Sequence, residues 1–149
     1  MEGASPARLY ATLIGGTLVI AGIVGFFINA SFDAGDSVQS ENLLGVSING
    51  WENVIHILTG GLGLILAGTR AREYALGLGA VYVLVAILGF IDFGSGDTED
   101  TILQLIPVND EANFLHLALG LLGIGAGLST PGRSRSSGSE ATAASAAPR

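Results

Sequence analysis

The stretch NGWENVIHILTGGLG, Asn49 to Gly63, returns at an offset of 60 as NDEANFLHLALGLLG, Asn109 to Gly123. The coinciding positions are Asn49/Asn109, Asn53/Asn113, His56/His116, Gly60/Gly120 and Gly63/Gly123. They advance in steps of 4, 3, 4 and 3, which traces one narrow face of a helix. That face is polar at its start and nearly bare further on. In lipid, small residues let helix backbones approach and polar side chains bond across helices. The spacing therefore predicts a packing seam, with the second and fourth helices meeting along it and His56 and His116 near a common axis. Glu52 lies beside the seam, and its counterpart is Ala112.

The repeat extends outward. RLYATLIGGTLVIAGIVGFF from Arg8 matches REYALGLGAVYVLVAILGFI from Arg72 without a gap, pairing Tyr10 with Tyr74, Gly15 with Gly79 and Gly25 with Gly89. Each repeat thus contains two helices and starts on the same side, so the repeats are parallel and related by an axis along the membrane normal. Hydrophobic residues make up 49 % of the 149 positions and charged residues 13 %. The apolar residues gather in four blocks, Leu9–Ala30, Val54–Gly68, Tyr74–Ile91 and Phe114–Leu128. A bilayer core needs roughly 20 helical residues per span. The fold class expected is all-α: a four-helix transmembrane bundle built from two parallel repeats of a helical hairpin. The spans fall at about 9–30, 50–68, 73–91 and 110–129, inside a membrane domain of residues 8–129. Residues 1–7 form a short cytoplasmic N-terminus, and the Ser/Ala/Arg-rich residues 130–149 a disordered cytoplasmic tail.

Local signals add detail. Asn49 and Asn109 suit helix N-caps, and Glu52, three residues after Asn49, suits a capping box. LLGVSI from Leu43 and ILQLIPV from Ile102 are too short to span, and are expected as interfacial or re-entrant pieces. Tyr10, Tyr74 and Trp51 at helix ends suit interfacial anchoring. The first apolar run is too long for a signal-peptide core and is read as a retained helix.

Charge sets an orientation. The basic residues are Arg8, Arg70, Arg72, Arg133, Arg135 and Arg149, all on one side of the expected membrane domain. The two opposite loops carry ten acids and no base, within a net charge of −7. The positive-inside rule then puts both termini in the cytoplasm of a prokaryotic cell, in its inner membrane. The expected partners are the lipid bilayer and a second copy or another membrane protein. An acidic outer face excludes nucleic acid. The chain has no cysteine, which removes disulfides and thiolate chemistry.

The pattern R-x-Y, then GF, then N-x-x-x-N-x-[IL]-H-x-x-x-G-x-x-G, with a second LH-x-x-x-G in the last helix, resembles a family of small prokaryotic four-helix membrane proteins. That family is catalogued as a domain of unknown function. The resemblance covers Arg8 to Ser129 and implies a multi-pass membrane protein, with no activity attached to it.

The two histidines admit several readings. In a structural or interaction role, neutral imidazoles bond to Asn53, Asn113, Glu52 or each other, at about 1 kcal/mol per bond. This is the first expectation, with no cofactor and no metal. As an alternative, His56 and His116 ligate haem b or a divalent metal. As a second alternative, the pair serves a small transporter or a pH response. No Ser–His–Asp set, phosphate loop or zinc-protease motif is present, so no enzyme is expected. The candidate polar seam is Asn49, Asn53, Glu52, His56, Asn109, Asn113 and His116. The candidate packing positions are Gly25, Gly60, Gly63, Gly89, Gly120 and Gly123.

Overall fold

Helix starts are written into the chain at Ser5, Asn49 and Asn109. In the computed structural model, which describes residues 4–92 and 100–132, each of these side chains accepts a hydrogen bond from the backbone N–H three residues on. The element order is α1 (Pro6–Ile28), a 3-10 turn (Gly35–Ser37), β1 (Glu41–Leu43), β2 (Val46–Ile48), α2 (Gly50–Leu66), α3 (Ala71–Asp92), β3 (Asp100–Ile102), β4 (Ile106–Val108) and α4 (Asp110–Leu128). The expected loop acids Asp97 and Glu99 lie outside the described residues. So do Glu2, Arg133, Arg135, Glu140, Arg149 and nearly all of the expected disordered tail.

Against expected spans of about 9–30, 50–68, 73–91 and 110–129, the helices run over Pro6–Ile28, Gly50–Leu66, Ala71–Asp92 and Asp110–Leu128. α1 starts ahead of its apolar block because Ser5 caps it and Pro6 occupies the first turn, where its missing N–H costs nothing. α1, α3 and α4 are long and apolar enough to cross a membrane. α2 is shorter, at 17 residues or about 25 Å. The outward surfaces of all four helices carry leucine, isoleucine and phenylalanine, among them Ile20, Phe27, Leu58, Ile65, Leu84, Ile91, Leu121 and Leu128.

The glycine seams do not join α2 to α4. α2 packs along α1, and α4 along α3. A Cβ on Gly60 would lie 2.5 Å from the Gly15 carbonyl oxygen, and one on Gly15 would lie 2.8 Å from that of Gly60. Gly79 and Gly120 meet in the same way, at 2.8 and 2.9 Å. Gly25 lies against the Asn53 amide and Gly89 against that of Asn113. The physical reason is matching relief. α1 and α3 carry their own bare ridges, and only when ridge meets ridge can both backbones approach.

The two helix pairs are joined by Tyr10 and Tyr74. Tyr10 donates to the Leu119 carbonyl of α4 at 3.0 Å, and Tyr74 to the Thr59 carbonyl of α2 at 3.1 Å. Their rings stand 6.5 Å apart, and they are 7 % and 6 % exposed. Each ring fills the notch of a glycine in the other pair, Gly123 for Tyr10 and Gly63 for Tyr74. They are therefore not interfacial anchors. A buried phenol needs a partner for its hydroxyl, and the glycine notch brings a helix carbonyl within reach. Trp51 is half-buried. It donates to the Asp33 carbonyl at 3.3 Å and meets Phe32 edge-on at 5.0 Å.

The short apolar pieces are arms of antiparallel β-hairpins, not re-entrant segments. β1 pairs with β2 around Leu44 and Gly45, both at positive φ. β3 pairs with β4 around a three-residue loop in which Leu103 and Gln104 both have φ of 56°. Pairing satisfies backbone groups that a lone extended piece would leave open. Each hairpin is then tied down by the asparagine of the other half. Asn109 donates to the Gly45 carbonyl at 2.7 Å, and Asn49 to that of Leu105 at 2.6 Å. Asn49 and Asn109 thus cap one helix and lock the opposite hairpin with the same side chain.

Candidate functional site

Glu52, His56, Tyr82 and His116 meet under the hairpins. Three helices supply them: α2 gives Glu52 and His56, α3 gives Tyr82, and α4 gives His116. Glu52 is 3 % exposed and does not close the capping box expected of it. Its carboxylate turns along α2 instead, where Oε1 stands 3.8 Å from His56 Nε2 one turn on. The ligand atoms of Glu52, His56 and His116 all lie within 4.8 Å of one another. Tyr82 packs its ring on that of His116, with centroids 5.0 Å apart.

The polar chemistry here is incomplete. Glu52 Oε2, Tyr82 OH and His116 Nδ1 are buried and have no hydrogen-bond partner among the described residues. Buried polar atoms are nearly always paired, and an unmade bond costs about 1–3 kcal/mol. Three such atoms within one cluster are therefore unusual. Asn53 Oδ1 is also unpartnered among the described residues, but Asn53 serves the fold. Its amide donates to the Asn29 carbonyl at 2.8 Å, just past the end of α1. Asn113 is fully buried against Gly89 in the matching place, and neither atom of its amide has a partner among the described residues.

Two clefts reach this centre from opposite sides. One, of about 320 Å³, runs between α1 and α4 beneath the first hairpin, past Ile14, Leu18, Val46 and Leu119. The other, of about 330 Å³, runs between α2 and α3 beneath the second hairpin, past Leu78, Val85, Ile102 and Ile106. Both walls are almost wholly apolar. Glu52, His56, Tyr82 and His116 line both clefts.

The chain matches the family model described as Domain of unknown function (DUF4383) over residues 8–132. It belongs to that family. No curated protein and no solved structure matches it.

Of the expected seam, the structure brings Glu52, His56 and His116 together and gives the four asparagines to capping and packing. Tyr82 was not among the expected site residues. A signal for it was present in the repeat itself. At the offset of 64, Tyr82 stands where the first half has Leu18, and at the offset of 60, Glu52 stands where the second half has Ala112. At both places one half is polar and the other apolar, while the histidines are kept in both.

Proposed function

We propose that this is a multi-pass membrane protein built from two like-oriented helical hairpins, and that its role is to bind a ligand at the Glu52–His56–Tyr82–His116 centre. The observation that carries this reading is the convergence of three unpartnered buried polar atoms with two apolar clefts. A concave apolar site with a few convergent polar groups is the usual form of a small-ligand site. Ionisable groups inside a membrane domain are costly and mark function by default. The reading departs from the purely structural role expected of the histidines, because the residues that carry these unpartnered atoms line two clefts, whereas the unpartnered atoms of Asn53 and Asn113 lie against glycines of the neighbouring helix.

In this reading all four helices cross the bilayer and the hairpins cover its outer face. The arginines then lie on the cytoplasmic side with both termini, and the clefts open sideways to lipid. α2 spans with help from its cap and from the turn after Leu66.

Tyr82→Phe tests the role of the centre. If the hydroxyl awaits a ligand, its removal leaves the stability of the ligand-free protein unchanged or raises it by up to about 1 kcal/mol. Thermal or SDS-driven unfolding in detergent measures this. A loss of more than about 1 kcal/mol would mean that the hydroxyl serves the fold, and the binding reading would fall.

A further inference from the structure

We infer that the ligand held by Glu52, His56 and His116 is a divalent transition-metal ion, an inference that rests on the binding reading above. Two imidazoles and a carboxylate suit zinc, cobalt or iron. Their ligand atoms already lie within 4.8 Å of one another, with Glu52 Oε1 and His56 Nε2 at 3.8 Å. Around a tetrahedral ion with bonds of about 2.0–2.1 Å, such atoms stand roughly 3.3 Å apart. Small side-chain rotations bring the three to that spacing.

Two further observations point the same way. Glu52 Oε2 and His116 Nδ1 are unpartnered among the described residues, in side chains more than nine-tenths buried. A cation would satisfy the carboxylate and one nitrogen of the imidazole. Second, the repeat is broken here: Ala112 stands opposite Glu52, so the cluster has two nitrogens and one carboxylate, not a symmetric pair of acids. Three protein ligands leave a fourth position open, as in metal sites that also bind an exogenous group. The two clefts meet at that position. One carboxylate leaves a divalent ion with one uncompensated positive charge, so the fourth ligand is expected to be an anion. Haem fits less well than a bare ion. A carboxylate this close to both histidines falls inside the area that the macrocycle would occupy between them.

The chain has two histidines and no cysteine, so no other imidazole or thiolate competes for such an ion. The test uses the full chain without a polyhistidine tag, in detergent or nanodiscs, titrated with Co²⁺ and Zn²⁺. One Co²⁺ per chain is expected, with the visible absorbance of a four-coordinate site. Zn²⁺ should displace it and raise the unfolding temperature. Glu52→Gln, nearly the same shape, and His116→Ala should each weaken binding at least about tenfold and abolish the Zn²⁺ stabilisation. Circular dichroism shows whether each variant keeps its helices, and the Gln variant keeps the test open if the Ala variant does not fold. Absence of saturable Co²⁺ and Zn²⁺ binding, or equal affinity in Glu52→Gln, overturns the inference. If that happens while Tyr82→Phe costs no stability, the metal assignment falls and the binding reading stands.

Discussion

Tyr10 and Tyr74 show how much one hydroxyl can do between helices. Each sits near the start of its own helix and bonds to a carbonyl in the opposite pair. Those carbonyls, Leu119 and Thr59, lie four residues before Gly123 and Gly63, whose missing side chains open the notch. Removing one hydroxyl loses a buried bond worth about 0.5–1.5 kcal/mol. Tyr10→Phe and Tyr74→Phe are each expected to cost about 1 kcal/mol in SDS-driven unfolding, and the two rings are close enough for the losses to couple. An unchanged transition in the double variant would show that the bonds do not hold the pairs together. The tyrosines were legible as a matched pair but not as partners. Position near a helix end is shared by anchors and by core residues, and only the fold says which way the ring turns.

Helix pairing depends on ridges that touch along their length. At Gly60 the neighbour is the Gly15 backbone, which cannot step aside as a flexible side chain would. Gly60→Ala is therefore expected to destabilise by about 1–3 kcal/mol. Its neighbour Gly61 has nothing within 4 Å of an added Cβ. Gly61→Ala is expected to be neutral or to stabilise by up to about 1 kcal/mol, through helix propensity alone. The pair of variants in one unfolding assay separates packing from propensity, and equal effects would contradict the α1–α2 contact described. The seam itself followed from the 4-3-4-3 spacing. Its partner did not, because glycine ridges occur on all four helices and spacing on one helix does not name the helix opposite. The hairpins were missed for a similar reason. Three-residue strands are too short to show alternation, and the ties from Asn109 and Asn49 to the far turns join residues 64 and 56 positions apart in the chain.

Taken whole, the molecule is two helix pairs crossed at a tyrosine couple and closed at one end by interlocked hairpins. The absence of cysteine makes its topology testable with single introduced thiols. Cysteines at Ser129 and Arg70 are expected to react from the cytoplasmic side, and cysteines at Asp36 and Gln104 from the other. Labelling of Arg70 and Asp36 from the same side would overturn the four-crossing arrangement. The long apolar helices, the caps and the doubled His-containing face all followed from residue order, because hydropathy, capping and helical period are local properties that one chain segment expresses alone. The meeting of Glu52, His56 and His116, and the arrival of Tyr82 beside them, depended on how the pairs cross. Those residues sit on three helices, and no local property relates them. Glycine-to-glycine contact within each pair, and the bonds that Tyr10 and Tyr74 make between the pairs, bring their polar atoms together.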